Sequence, residues 1–165
     1  MTRFPRAEAV RTAAPALAAA TACGALGGAL WLQRKGFAPC PLCILQRMAY
    51  LAVLSFSLLA AGLLRTGWRR LALGLAMLAA LLGLGVAGRQ IWLVLHPGQL
   101  CGLDPLAAVI NRWSVTHWAP WMFRADGLCA DTPSVFGVAL PFWSAAGFAV
   151  ACVFLLAAGW RRSGS

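Results

Sequence analysis

The chain has 165 residues, of which 61% are hydrophobic and only 11% are charged, and its formal net charge is +10. Four long stretches that carry almost no charge take up more than half of the sequence. The remainder is too short to form a water-soluble domain with its own core. No internal repeat and no glycine pattern of a nucleotide-binding loop is present. The composition therefore predicts an all-α integral membrane protein with one domain, residues 1–165.

The four apolar stretches predict a four-helix transmembrane bundle. Each is long enough to cross a hydrocarbon core of roughly 30 Å, which takes about 20 helical residues. The first stretch also admits a second interpretation, a cleavable signal peptide. It is longer than the usual apolar region of about 7 to 15 residues, however, and no clear cleavage site follows it. The predicted spans are residues 14–33, 44–64, 71–94 and 139–160.

Basic residues predict the orientation of the bundle. Positively charged residues mark the cytoplasmic side of a membrane protein, so both termini are predicted to be cytoplasmic. The loops at about 34–43 and 95–138 then face the opposite compartment, which is the periplasm in a bacterial cell. Topology explains the high positive charge, and nucleic-acid binding is not needed to explain it. Eight arginines carry this argument: Arg3, Arg6, Arg11, Arg65, Arg69, Arg70, Arg161 and Arg162.

Four of the six cysteines fall in these two loops. Cys40 and Cys43 lie in the first, and Cys101 and Cys129 lie in the second, on a side where disulfides form and persist. Cys101 and Cys129 have two interpretations: a reactive pair, or a structural disulfide that stabilises a long loop by roughly 3 kcal/mol. The other two cysteines, in the middle of spans, are expected to be packing residues. They are Cys23 and Cys152.

The Cys40-Pro41-Leu42-Cys43 motif at the start of the second span predicts a reactive thiol pair. A disulfide across two intervening residues closes almost no loop, so a structural role explains the motif poorly. If the helix begins near Cys43, the free N–H groups and dipole of the first turn favour an anion there. Arg47 lies four residues further, on the same face. We expect both effects to stabilise the Cys43 thiolate, which is the reactive form.

Arg47 has an alternative interpretation, because a long basic side chain can extend to the membrane interface. An arginine inside a span is costly, however, and usually has a functional partner. Electrons from the thiol pair need an acceptor, and the sequence has no dinucleotide, haem or flavin motif. A quinone is the economical acceptor, because it is lipid-soluble, reaches the space beside Cys43 and presents carbonyl oxygens to Arg47.

No cluster of cysteine and histidine has the spacing of zinc ligands, so no metal site is expected. Residues 105–125 of the long loop mix apolar side chains with Arg112 and Arg124, which predicts a short helix on the membrane surface. The alternative there is a packed loop with ordinary interfacial tryptophans.

Over nearly its whole length the chain resembles the DsbB family, the bacterial quinone-coupled disulfide oxidases. The resemblance is carried by the four spans, the two loop cysteine pairs and three short motifs. These are CPLCILQR at residues 40–47, Gly-Arg-Gln at 88–90 and Leu-Pro-Phe-Trp-Ser at 140–144.

The resemblance implies a protein disulfide oxidoreductase of the bacterial inner membrane. Cys101 and Cys129 match the pair that exchanges with DsbA, a periplasmic protein of thioredoxin fold. Cys40 and Cys43 match the pair that meets ubiquinone or menaquinone, and Arg47 matches the arginine on the quinone side. The resemblance also implies a polar side chain near the quinone after the third span, without a clear match here. The candidates are Arg89, Gln90 and His96, and Arg89 is preferred because it lies near the outer end of the apolar run. Two alternatives stay open: an oxidase for another thioredoxin-fold partner, and a non-catalytic membrane protein whose loops are stapled by disulfides.

Overall fold

Four long helices make up most of the computed structural model, which describes residues 5–62, 66–96, 105–127 and 133–160. They are α1 (Pro5–Arg34), α2 (Pro41–Gly62), α3 (Thr66–Leu95) and α7 (Leu140–Trp160). All four contain a segment that is long and apolar enough to cross a membrane. The predicted four-helix membrane bundle is confirmed. The cytoplasmic position of the termini remains a prediction.

Helix α2 begins at Pro41, earlier than the predicted start near Cys43. Proline suits the first helical position, because it has no N–H group to leave unpaired and its φ angle already matches the helix. In the bundle, α2 packs between α1 and α3, and α7 packs against the other sides of the same two helices. The four helices therefore form a ring in which each contacts two neighbours.

Alanines occupy many of the buried positions of this ring, and leucines cover much of its outside. Ala22, Ala76 and Ala80 are completely buried, whereas Leu82 is 62% exposed and Leu156 is 56% exposed. Lipid tails are as apolar as leucine, so helices in a membrane gain little from burying large apolar side chains. They gain from the close contact that small residues allow. This inverted arrangement is typical of a bundle that lies in lipid.

An aromatic pair in the bundle interior joins three of the helices. Phe148 of α7 stacks on Tyr50 of α2, with ring centroids 3.8 Å apart. The Tyr50 hydroxyl donates a hydrogen bond of 2.7 Å to the backbone carbonyl of Ser144. On the other side, the Phe148 ring occupies the place where a Cβ atom on Gly83 of α3 would lie. Glycine at position 83 thus lets α3 and α7 pack around the aromatic pair.

The connection between α3 and α7, residues 96–139, is called the second loop here. Its described part contains three short helices, α4 (Pro105–Asn111), α5 (Ser114–Trp118) and α6 (Pro120–Phe123), where the sequence predicted one. Pro120 divides α5 from α6, because the residue before a proline is disfavoured in helical conformation; Ala119 has φ −137° and ψ 67°. The location of this segment on a membrane surface remains a prediction.

A two-stranded hairpin that the sequence analysis did not predict leads into α7. Strand β1 (Ser134–Val135) pairs with β2 (Val138–Ala139). The turn between them has positive φ angles at Phe136 (53°) and Gly137 (78°). Such turns match the natural twist of hairpin strands and favour glycine.

The second loop is fixed to the first loop, residues 35–40, through the backbone. The N–H groups of Asp126 and Gly127 donate to the Pro39 carbonyl at 3.1 and 3.0 Å. A Cβ atom on Gly127 would collide with the Ala38 carbonyl, so this approach requires glycine. Asn111 fixes Ala125, the residue before Asp126, with two hydrogen bonds. Its Oδ1 accepts the backbone N–H of Ala125 at 2.9 Å, and its Nδ2 donates to the Ala125 carbonyl at 3.1 Å. The chain at residues 125–127 is therefore held directly beside Cys40.

The contact of Gly83 with Phe148 predicts opposite effects for two glycine substitutions in α3. Gly83→Ala should destabilise the protein by about 1–3 kcal/mol, because an added methyl overpacks a filled site. Gly85→Ala is the matched control: its Cβ would meet nothing within 4 Å, so the better helix propensity of alanine should stabilise it by about 0.5–1 kcal/mol. Unfolding in detergent micelles measures both. Equal stabilities of the two variants would contradict the proposed packing.

Candidate active site

Cys40 and Cys43 lie at the N-terminus of α2 with their sulfur atoms 2.8 Å apart. Cys40 immediately precedes the helix, and its carbonyl accepts the N–H of Ile44 at 3.1 Å. Its sulfur accepts the N–H of Cys43 at 3.3 Å, which is the position that a capping oxygen takes in other helices. The sequence analysis expected the helix terminus to act on Cys43. The structure directs the backbone N–H to the sulfur of Cys40.

Gln90 of α3 contacts both sulfur atoms. Its Nε2 lies 3.4 Å from Cys40 Sγ and 3.4 Å from Cys43 Sγ. Its Oε1 accepts a hydrogen bond of 2.7 Å from Gln46 Nε2 and lies 3.9 Å from Cys43 Sγ, whose thiol can donate to it. Gln90 is 1% exposed. A buried amide that directs N–H groups at two sulfurs stabilises negative charge on either of them.

Arg47 is buried and joins three parts of the molecule. Its Nη1 donates to Gln33 Oε1 of α1 and to the Met122 carbonyl of α6, both at 2.8 Å. Gln33 in turn donates from Nε2 to the Trp121 carbonyl at 2.7 Å. The guanidinium is therefore held between the end of α1 and the second loop. Its Nε–H and Nη2–H groups have no hydrogen-bond partner within the described ranges.

An apolar cavity of about 280 Å³ lies beside the cysteine pair, between α1, α2 and α7. This volume is close to the lower end of small-molecule sites, roughly 300–1,000 Å³. Most of its wall is hydrocarbon, and the chemically reactive groups are on the α2 side. The cavity is therefore suited to a flat apolar ring with a few polar atoms. Its lining includes Ala25, Leu26, Gly28, Ala29, Leu32, Phe37, Cys40, Cys43, Gln46, Arg47, Tyr50, Leu140, Trp143 and Ser144.

The structure brings some of the predicted site residues together and separates others. Cys40, Cys43 and Arg47 line one cavity. Arg89 does not line it: this side chain is exposed, and its guanidinium lies 4.9 Å from the centre of the Trp92 ring. Of the three polar candidates at or just beyond the end of α3, Gln90 is the one that contacts the cysteines. The second cysteine pair lies outside the described residues: Cys101 and Cys129.

Three glutamines of the site are not among the residues that the sequence predicts for it: Gln33, Gln46 and Gln90, the last of which the sequence places below Arg89. A signal for them was present, because polar side chains in apolar spans are costly and tend to be functional. Of the two cysteines expected to pack within spans, Cys152 packs partly buried against the core, whereas Cys23 is exposed.

Fold and site together define a class of protein: a four-span membrane protein with a cysteine pair at a helix start beside an apolar cavity. Residues 11–158 match the family model described as disulfide bond formation protein DsbB. The chain belongs to the DsbB family, and with this family it is a membrane disulfide oxidoreductase.

Several relatives carry the name disulfide bond formation protein B. That of Ralstonia nicotianae is 43% identical over 148 residues, which cover 88% of this chain and 92% of the relative. The protein of this name from Cupriavidus necator is 45% identical over 123 residues, which cover 73% of this chain and 75% of the relative. Disulfide bond formation protein B 1 of Burkholderia lata is 41% identical over 141 residues, covering 83% and 82%.

The contacts of Gln90 predict that it controls the reactivity of the cysteine pair. Gln90→Met should slow alkylation of Cys40 and Cys43 in the reduced protein by about 3- to 10-fold, because the thiolates lose a hydrogen bond worth roughly 1 kcal/mol. Mass spectrometry of the peptide that contains both cysteines measures the rate. Arg89→Met, one residue away on the exposed face, is the comparison. If alkylation were slower in Arg89→Met than in Gln90→Met, Arg89 and not Gln90 would be the residue that controls the reactivity of the cysteines.

Proposed function

We propose that the protein reoxidises DsbA, or a closely related periplasmic protein of thioredoxin fold, and passes the electrons to a membrane quinone, either ubiquinone or menaquinone. One observation carries the proposal: the two sulfurs of a cysteine pair, 2.8 Å apart, line the same apolar cavity as a buried arginine. A thiol pair placed against hydrocarbon is suited to an acceptor that dissolves in the membrane.

The residues of the cavity fit a quinone. Hydrocarbon side chains match the ring and exclude water, and the remaining N–H groups of Arg47 can donate to a carbonyl oxygen. Gln90 holds negative charge on the sulfurs through contacts of 3.4 Å. A bound quinone supplies an acceptor for two electrons and two protons and leaves as quinol. The described partners of Arg47 are an amide and a backbone carbonyl, so its positive charge remains available to an oxygen that gains electrons.

Electrons reach the cavity by thiol-disulfide exchange in the proposed relay. First, the two thiols of the partner become a disulfide while the disulfide of Cys101 and Cys129 becomes two thiols. These thiols are then reoxidised as the disulfide of Cys40 and Cys43 is reduced. Finally, Cys40 and Cys43 return to a disulfide, and their two electrons and two protons leave with the quinol. Each exchange needs a thiolate that attacks a disulfide sulfur.

The docking of the two loops supports the second exchange. Gly127 is hydrogen-bonded to the carbonyl of Pro39, the residue before Cys40. Cys129 follows Gly127 by two residues in the sequence, and two residues span at most about 7 Å. The described end of the second loop thus lies against the first loop, which supports an exchange between the two cysteine pairs. The positive-inside distribution of arginines supports a periplasmic location for both loops in the bacterial inner membrane.

Anaerobic mixing of the purified protein with reduced DsbA and decylubiquinone tests the function. Absorbance should show one quinone reduced for each DsbA disulfide formed, and Cys43→Ser should abolish the reaction. Cys23→Ser is the matched control, because Cys23 is exposed on α1 and should leave turnover unchanged. Quinone reduction that survives in Cys43→Ser would refute the relay. Reduction driven by dithiothreitol but not by DsbA would instead indicate another thiol partner.

Arg47 should have a larger effect on quinone binding than on the thiol exchanges. Arg47→Gln removes a charge-assisted hydrogen bond, worth roughly 1.5–3 kcal/mol, so the KM for decylubiquinone should rise at least tenfold. Arg112→Gln removes the same charge from an exposed position of the second loop and should leave the KM unchanged. Steady-state kinetics at saturating DsbA measures both. Equal KM values for Arg47→Gln and wild type would exclude a quinone contact by Arg47.

A further inference from the structure

Gln33, in the last turn of α1, bonds both to Arg47 and to the second loop. Its Oε1 accepts a hydrogen bond of 2.8 Å from Arg47 Nη1, and its Nε2 donates one of 2.7 Å to the Trp121 carbonyl. The two contacts need a side chain with an acceptor and a donor, and the amide of glutamine has both. Gln33 is not among the residues that line the cavity beside the cysteine pair. Any effect of Gln33 on a molecule in that cavity must therefore pass through another residue.

The second loop contributes two backbone carbonyls of α6 to this contact. The last carbonyls of a helix have no partner within the helix. Here the Trp121 carbonyl accepts from Gln33, and the Met122 carbonyl accepts from Arg47 Nη1 at 2.8 Å. This Nη1 atom also donates to Gln33, and it carries two N–H groups. The direction of the guanidinium is therefore set jointly by α1 and α6.

We propose that Gln33 is a positioning residue that couples the docking of the second loop to quinone binding. The inference rests on the proposed function, in which Arg47, a lining residue of the cavity, donates to the quinone. While α6 is docked, Gln33 and the Met122 carbonyl hold the guanidinium beside the cavity. When α6 moves away, both holds weaken and the guanidinium can turn. Quinone should bind more tightly to the docked state, and bound quinone should stabilise docking by the same factor.

The coupling links quinone binding to the arrangement in which the two loops touch. In the docked loop, the N–H groups of Asp126 and Gly127 donate to the carbonyl of Pro39, the residue before Cys40. In the proposed relay, electrons enter the pair of Cys40 and Cys43 from the second loop. A quinone that binds best to the docked arrangement is in place when they arrive.

A double-mutant cycle tests whether Gln33 acts through Arg47. Gln33→Met keeps the length of the side chain and removes both of its hydrogen bonds. The Kd of the oxidised protein for decylubiquinone, measured by tryptophan quenching, should rise about 3- to 10-fold, as expected for one lost hydrogen bond. In an Arg47→Met background, the same change should alter the Kd by less than about twofold, because residues that act as a unit are not additive. An equal factor in both backgrounds would overturn the coupling.

Hydrogen exchange measures the docking itself. The N–H groups of Asp126 and Gly127 exchange when the second loop opens locally, so saturating decylubiquinone should slow their exchange in the wild type. Gln33→Glu keeps an acceptor for Arg47 but has no donor for the second loop, so quinone should slow exchange by a smaller factor. Arg34→Gln changes the exposed neighbour of Gln33 and should behave as the wild type does. The same slowing in Gln33→Glu and wild type would contradict the coupling.

The possible failures are distinguishable. If the wild-type protein binds no decylubiquinone, the proposed function falls together with the coupling. If the wild type binds it and Gln33→Met has a wild-type Kd, the quinone site stands and the coupling is overturned. Melting temperatures in detergent show which variants fold. If Gln33→Met does not fold, Gln33→Asn takes its place in the cycle, because its shorter side chain cannot reach both partners.

Discussion

The arrangement of the site depends on the start of α2 at Pro41. With the helix beginning there, Cys40 becomes the capping residue and its sulfur takes the N–H of Cys43. Residues three and four positions apart share a helix face, so Arg47 and Tyr50 follow Cys43 toward the same cavity. A helix shifted by one residue would turn each side chain by about 100°. The thiol pair, the guanidinium and the aromatic pair would then no longer meet.

Within the described ranges, neutral amides bond to the cysteine pair and to Arg47. A glutamine side chain both donates and accepts, so Gln46 and Gln90 can bond to each other and still leave N–H groups for the sulfurs. Gln33 likewise accepts a hydrogen bond from Arg47 and donates one to the Trp121 carbonyl of the second loop. A carboxylate partner would neutralise the guanidinium. Amide and carbonyl oxygens hold it in place and preserve its positive field, which is strong where water is excluded.

The sequence was sufficient to predict the four helices, because hydropathy and length are properties of each segment alone. It also singled out Cys40, Cys43 and Arg47 from local spacing. It could not rank Gln90 above Arg89: neighbouring residues of a helix point about 100° apart, and the packing of α3 on α2 decides which of them is buried. The three short helices and the hairpin depend on contacts between distant parts of the chain, such as Asn111 with Ala125.

The alanine interior of the bundle reverses the usual relation between burial and tolerance to change. In a water-soluble protein the large buried residues are the least replaceable. In this protein the exposed leucines face an apolar solvent, so one aliphatic side chain can replace another there at little cost. Ala22, Ala80 and Ala151 are completely buried in the core, so a larger side chain at one of them is expected to overpack it. Changes in side-chain volume should therefore be tolerated better on the outer surface of this bundle than in its interior.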